Sequence, residues 1–226
     1  KDGDFYFLQR HFLLDAVRTI KDLCIKRLPD AYGIDPTTQI QVLCPSKKGE
    51  TGTFNLNQVL QECINPPAED KREYNTGYRL FREGDKVMQT KNNYNIHWES
   101  DNEEGDGIFN GDIGYIESII NEGSKKEIII DFDGNSVRYT ASNFNKFKHA
   151  YAISIHKSQG SEFPVVVMPI FNGPPMLYNR NLLYTGITRA KKLLIVISSQ
   201  NIIDRMIKNY DSKKRNTGLE YKLINV

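Results

Sequence analysis

Two stretches of this chain are apolar without a break: Val165-Val166-Val167-Met168-Pro169-Ile170 and Leu193-Leu194-Ile195-Val196-Ile197. Neither shows the alternation of a half-exposed strand or the three-to-four spacing of a surface helix. Runs of this length and kind are strands buried on both faces, as in a parallel sheet sandwiched between helices. Residues 181–190, between them, have a helical pattern, and residues 202–207 read as a short closing helix. Strand, helix, strand, helix commits this part of the chain to an α/β layer architecture.

The front of the chain has the same grammar. Leu13, Val17, Ile20, Cys24 and Leu28 fall near helical spacing and Pro29 follows them, which predicts a helix over 12–28. Ile40-Gln41-Val42-Leu43-Cys44 reads as a strand, stopped at Pro45 and followed by a polar, Gly-containing loop over 46–52. A second helix carries Leu56, Val59, Leu60, Cys63 and Ile64 on one face and ends at Asn65-Pro66-Pro67. The pattern then changes. Residues 68–76 are charged and aperiodic, as a linker is. Short strands follow at 86–90, 112–120, 127–132 and 136–140, punctuated by Asn110-Gly111, Asn121-Glu122-Gly123 and Asp133-Gly134. That spacing predicts a small β-barrel, with Trp98 and the acidic stretch after it as a protruding or mobile hairpin end. The expected organisation is one α/β domain, residues 1–75 and 149–226, interrupted by a barrel over 76–148.

Composition narrows the class. Of 226 residues, 39% are hydrophobic and 26% charged, an ordinary globular balance. No apolar run approaches the ~20 residues that cross a bilayer, so no membrane partner is expected. Cys24, Cys44 and Cys63 are odd in number, far apart and never in a C-x-x-C pair. They suit small core positions in a reducing cytosol rather than disulfides or a zinc site, and no metal ligand set is expected. A net charge of +2 does not by itself mark a nucleic-acid binder. The signs are segregated, however: basic pairs stand at 47–48, 125–126 and 191–192 and a triplet at 213–215, against an acidic run over 99–106. The chain does not start with Met and reads as cut from a longer polypeptide.

Two segments carry chemistry. Tyr151-Ala152-Ile153-Ser154-Ile155-His156-Lys157-Ser158-Gln159-Gly160-Ser161-Glu162-Phe163-Pro164 runs from apolar into small polar residues just before a buried strand. Glycine and small residues permit close backbone approach to a phosphate, and the polar side chains offer donors. Leu182-Leu183-Tyr184-Thr185-Gly186-Ile187-Thr188-Arg189-Ala190-Lys191-Lys192 places an arginine at the end of a helix, before the second buried strand. That arginine is either a solvated cation at a helix C-terminus or a group that stabilises charge on a transferring phosphoryl.

In this order, the two segments resemble motifs V and VI of superfamily 1 helicases, and of the RecD-like (exodeoxyribonuclease V alpha chain-like) branch in particular. Residues 40–52 resemble motif IV with its Pro-x-x-x-Gly turn. Gly84-Asp85-Lys86-Val87-Met88-Gln89-Thr90-Lys91-Asn92-Asn93-Tyr94 is similar to a further motif of that family, and Asn110-Gly111-Asp112-Ile113-Gly114 to its inserted SH3-like barrel.

The resemblance implies a RecA-like (P-loop NTPase-type) second motor lobe with an inserted SH3-like β-barrel. It implies ATP and Mg²⁺ as cofactors of the longer parent, single-stranded DNA as partner, and translocation 5′ to 3′. It also implies a first RecA-like lobe in cis and, in some relatives, nuclease-complex subunits. Arg189 then matches the catalytic arginine finger, and Gln159, Gly160, Glu162 and Arg189 the ATP-binding residues, Glu162 facing the ribose. Ser154, His156, Asn92 and Asn93 match DNA-facing positions. Thr is frequent in the family where Ser154 stands, and Ala or Val where Gly186 stands. No G-x-x-x-x-G-K-[ST] loop occurs; Gly49-Glu50-Thr51-Gly52-Thr53 lacks both spacing and lysine. The chain alone is therefore expected not to hydrolyse ATP. Two alternatives stay open: a non-catalytic nucleic-acid- or protein-binding module, and the helicase portion of a conjugative relaxase.

Overall fold

The structure, a computed structural model, describes residues 3–210 apart from 124, 172 and 175. The basic triplet at 213–215 and the rest of 211–226 lie outside the described residues. The chain opens with β1 (Phe5–Gln9) and α1 (Leu13–Asp22). The helix continues through a widened π-type stretch (Leu23–Arg27) into α2 (Leu28–Tyr32). β2 (Ile40–Cys44) and α3 (Thr53–Ile64) follow.

The middle of the chain is mostly strand: β3 (Glu73–Asn75), β4 (Leu80–Arg82), β5 (Lys86–Gln89), β6 (Asn93–Glu99) and β7 (Glu104–Ile108), then β8 (Ile113–Glu122), β9 (Lys125–Phe132), β10 (Asn135–Thr140), a 3-10 turn (Ala141–Lys146) and β11 (Phe147–His149). The last part returns to β12 (Ala152–Ser154), β13 (Phe163–Pro169), α4 (Arg180–Ile187), β14 (Ala190–Ser198) and α5 (Gln200–Lys208).

The apolar runs do what their unbroken pattern requires. β1, β14, β13, β2 and β12 form one sheet in that order, every neighbouring pair parallel. Alternate residues of a strand point to opposite faces. Val165, Val167 and Ile195 pack with Ile20, Cys24, Leu56 and Leu60 from α1, the π stretch and α3. Val166, Met168, Leu194 and Val196 pack on the other face with Leu182 and Leu183 of α4 and Met206 of α5. Cys24 and Cys44 are fully buried in the first of these cores.

The second sheet is antiparallel, order β11-β5-β8-β9-β10-β6-β7, and curls around its own core of Phe81, Val87, Ile116, Ile130, Tyr139 and Phe147. Trp98 lies on the hairpin β6–β7 at the end of this sheet.

Several sequence expectations need correction. The stretch over 68–76 is not all linker, because Glu73–Asn75 pairs antiparallel with β4. Its one aromatic, Tyr74, meets Phe144 edge-on at 5.0 Å between centroids and Glu73 pairs with buried Arg82 at 2.6 Å, so no periodicity advertises the strand. The first helix does not stop before Pro29 but passes through it to Tyr32. The π stretch leaves Pro29 in the first turn of α2, where its missing N–H costs little. Gly33, at φ 63°, ends that helix. The helix expected over 181–190 is α4, which stops at Ile187, so Arg189 stands beyond it.

Candidate functional site

The parallel sheet has two ends, and the segment from Ser154 to Glu162 travels between them. Ser154 closes β12 opposite Cys44, at the C-terminal edge. Phe163 opens β13 at the N-terminal edge. One 3-10 turn (Ile155–Ser158) and one type II turn make the crossing. In that second turn the Ser161 amide donates to Ser158 O at 3.0 Å. Gln159 sits at φ −61°, ψ 129° and Gly160 at φ 88°. The turn needs a residue at positive φ in its third position, which is the physical reason for that glycine. Gln159, Gly160, Glu162 and His156 are exposed, while Ser154 is buried.

Arg189 joins this segment at the N-terminal edge. Its Nη1 donates to Ser161 O at 3.0 Å, Nε to Thr185 O at 3.1 Å and Nη2 to the Thr188 hydroxyl at 3.0 Å. The Phe163 amide donates back to Arg189 O at 2.8 Å. The guanidinium is thus held at three atoms, and about two of the five N–H donors of an arginine stay without a partner among the described residues. Glu162 follows Ser161 and forms an exposed ion pair with Lys191 at 3.5 Å.

Gly186, for which the sequence offered no reason, is a packing residue. A Cβ there would lie 2.4 Å from Met168 Sδ. The bare backbone lets α4 close onto β13, and so sets where Arg189 emerges.

At the opposite edge the loop over 46–52 wraps the start of α3. Ser46 O and Lys47 O accept from the amides of Thr53 and Phe54, at 3.2 and 3.1 Å. A Cβ on Gly52 would strike Lys48 O at 2.4 Å, so only glycine lets the loop fold this tightly. The first amides of α3 are spent on the loop, and side chains, not that helix end, face outward here.

The barrel turn lies against the crossover, Phe109, Gly111 and Asp112 sharing a cleft with Ser161 and Phe163. Lys157 donates to Asn110 Oδ1. The Asn110 amide donates to Asn92 Oδ1 at 2.9 Å, and Asn92 Nδ2 donates to the Tyr94 hydroxyl at 2.9 Å. Asn92 therefore ties the barrel turn while remaining exposed, and Asn93 begins β6. These ties place Asn92 near Lys157, with Ser154 and His156 just before that residue in the crossover and Gln159, Gly160 and Glu162 just after it. Arg189 joins the segment at Ser161.

Sequence reasoning missed Asp85. Fully buried, its carboxylate accepts from Gln61 Nε2 (2.6 Å), Asn65 Nδ2 (2.8 Å), Arg82 N (2.8 Å), Tyr151 OH (3.0 Å) and His149 Nε2 (3.1 Å). These donors come from α3, β4, β11 and the approach to β12, so one carboxylate bolts the barrel to the sheet domain. Next to it Lys86 is buried with its ammonium on Ile40 O (3.1 Å), and burial pushes its pKa down to about 8. The available signal was a charged pair, Asp85-Lys86, directly before the apolar Val87-Met88.

Comparison with known proteins bears on this arrangement. Residues 56–132 match the model of the ATP-dependent RecD-like DNA helicase SH3 domain. Residues 149–197 match that of the UvrD-like helicase C-terminal domain. The ATP-dependent RecD2 DNA helicase of Deinococcus radiodurans is 38% identical over 152 residues, 67% of this chain. The chain belongs to the RecD-like superfamily 1 helicases. Its RecA-like lobe is the five-stranded parallel sheet with its helices, and its SH3-like unit is the curled antiparallel sheet. The RecBCD enzyme subunit RecD of Buchnera aphidicola (strain Sg) is 29% identical over 173 residues, 75% of this chain. A Bacteroides Pif1 helicase structure with ADP-AlF3 and single-stranded DNA aligns over 94% of this chain and 49% of its own, at 15% identity and a TM-score of 0.47. This RecD-like chain spans 19% of the Deinococcus protein and 26% of the Buchnera one. Among the described residues no helix is long and apolar enough to cross a membrane.

Proposed function

We propose that this chain is the second motor lobe, with its inserted barrel, of an ATP-dependent helicase that moves 5′ to 3′ on single-stranded DNA. Residues 1–75 and 149–226 make the lobe in this reading and 76–148 the insertion. The observation that carries it is the bond from Arg189 to Ser161 O. It joins the end of the 154–162 crossover to the arginine and leaves a braced guanidinium at one edge of the sheet.

ATP with Mg²⁺, bound against a first lobe, supplies a phosphoryl group to be transferred. The residues here fit its charge: a planar, permanently charged fork with spare donors suits a phosphate oxygen. Arg189 holds that fork in place, Glu162 accepts from a ribose hydroxyl, and Gln159 and Gly160 line the phosphates. Ser154, His156, Asn92 and Asn93 contact the sugar-phosphate backbone without reading sequence. The chain contains no Walker-type loop, so hydrolysis in this proposal requires the first lobe.

The test is Arg189→Ala in the full-length protein. DNA-stimulated ATP turnover is expected to fall by about 10³-fold or more, the scale of an arginine finger, with nucleotide binding largely kept. Turnover within a few-fold of the parent removes Arg189 from this role.

A further inference from the structure

A groove of 760 Å³ lies between α3 and the hairpin β3–β4, floored by β11. Its walls carry Phe54, Tyr78, Arg79, Lys148 and His149. Tyr78, at the hairpin tip, is 95% exposed and Phe54 is 55% exposed. The one carboxylate on the wall, Glu62, faces Arg82 at 3.5 Å and neutralises nothing else in the groove.

Positive charge gathers here from four parts of the chain. Burial first, and then the charges of Lys47, Lys157 and Arg79, pull the Lys148 ammonium below the ordinary lysine range. Lys47 comes from the loop after β2, Lys157 from the crossover next to His156, Arg79 from the hairpin and Lys148 from β11. None of the four is in a salt bridge among the described residues. Like charges brought together without a counter-charge oppose folding, and a polyanion laid across them removes that cost. Exposed aromatic rings beside such a cationic strip supply a stacking face for bases, a pairing that suits single-stranded nucleic acid.

We propose that this groove extends the single-stranded DNA track beyond Ser154 and His156. Lys148 and Arg79 hold phosphates in it, and Tyr78 stacks on a base. Its position deepens the helicase reading, on which it rests: the strand passes from the crossover over Lys157 and Lys47 and leaves between α3 and the hairpin. Asn57 fixes the wall, its Nδ2 donating to Ala152 O and its Oδ1 accepting from the Ala152 amide, so the groove keeps its position against β12.

The experiment is a salt-titrated binding assay of the 226-residue chain with a fluorescent oligothymidylate, run on Arg79→Gln, Lys148→Gln, Tyr78→Ala and Tyr78→Phe. Arg79→Gln and Lys148→Gln are each expected to flatten the slope of log K against log salt by about 0.7, the loss of one phosphate contact on a single strand. Tyr78→Ala is expected to weaken binding at least about fivefold and Tyr78→Phe to restore it, as stacking requires. Tyr78 and Arg79 are exposed at a hairpin tip, so an unchanged unfolding midpoint separates lost contacts from lost fold. Unchanged affinity and slope in all the groove variants, with binding still weakened by His156→Ala, overturns the groove and leaves the lobe's DNA reading intact. No binding by the unaltered chain removes both. Tighter binding of an oligouridylate of equal length overturns the assignment to DNA.

Discussion

Replacing Asp85 by Asn tests whether one buried carboxylate joins the two sheets. Oδ2 accepts from Gln61, Arg82 N and His149, and Oδ1 from Asn65 and Tyr151. An asparagine keeps one acceptor and turns the other into a donor. Its better orientation puts the new NH₂ at Oδ1, where the Tyr151 hydroxyl can turn to accept from it but Asn65 Nδ2 meets another donor; the other orientation turns a donor toward Gln61, Arg82 N and His149. A buried donor left without a partner costs about 1–3 kcal/mol, so Asp85→Asn should lose about 1–3 kcal/mol. At roughly 2–4 °C per kcal/mol for a domain of this size, Tm is lowered by at least about 2–4 °C. Asp85→Ala strands all five donors and opens a cavity, and is expected not to fold, so Asn is the informative variant.

The assay is thermal unfolding followed by two probes. The chain has one tryptophan, Trp98, on a barrel strand, whereas α1 to α5 all belong to the parallel-sheet part. Trp98 fluorescence therefore reports the barrel and far-UV helical dichroism the lobe. In the parent protein the two midpoints are expected to coincide; in Asp85→Asn both fall, because the partners of this side chain lie in both parts of the molecule. A midpoint within about 2 °C of the parent by both probes would refute the reasoning, since no orientation of the amide satisfies the donors Asp85 now serves.

Lys86 offers a pH test. Its pKa is about 8 in the fold against an ordinary 10.5. Between those values the unfolded chain binds the proton that the folded chain has released, so this group's contribution to stability rises with pH across that window and is least favourable below it. Lys86→Met removes the effect: its stability relative to the parent should be highest below pH 8 and decline by roughly 3 kcal/mol on passing to pH 10.5, read by urea unfolding at each pH. A difference that stays constant with pH would remove Lys86 as the titrating group. Gly186→Ala should lower Tm by a few degrees, the clash with buried Met168 costing about 1–3 kcal/mol against roughly 1 kcal/mol gained in helix propensity. A clear rise in Tm would mean that α4 does not need its close approach to β13.

The elements legible in the sequence were those whose burial leaves a pattern. β13 and β14 are covered on both faces and read as unbroken apolar runs. α3 is covered on one face and shows helical spacing. β1, β11 and β12 were not anticipated: the last two have three residues each, and β1 holds its place by pairing with the edge of β14. β3 is three residues with one aromatic between polar neighbours, and its Glu73–Arg82 anchor reaches across to β4, so it leaves no periodic signal. The order of Gln159, Glu162 and Arg189 is legible as letters, but the bond that ties Arg189 to Ser161 O spans 28 residues and has no local signature. Asp85 was illegible for the same reason. Its five partners are spread from Gln61 to Tyr151, and nothing in a single acidic residue after a glycine says that they converge.

That convergence matters for how the proposed motor would work. The crossover from Ser154 to Glu162 has its first residues at the edge where Lys157 meets the barrel and its last residues bonded to Arg189. Only two tight turns separate the ends, and Ser158 anchors the middle, its hydroxyl donating to Ile155 O at 2.7 Å. A segment so short and so fully tied has little slack to absorb a displacement. Bonds run from Arg189 to Ser161 O at one end of this segment and from Lys157 to Asn110 of the barrel within it, so the arginine, the crossover and the barrel turn form one tied unit. The Asp85 junction acts on the same path from the other side. With the barrel fixed to α3 and β11, the Lys157–Asn110 tie joins the crossover to a body whose position against the sheet is already held by the Asp85 bonds.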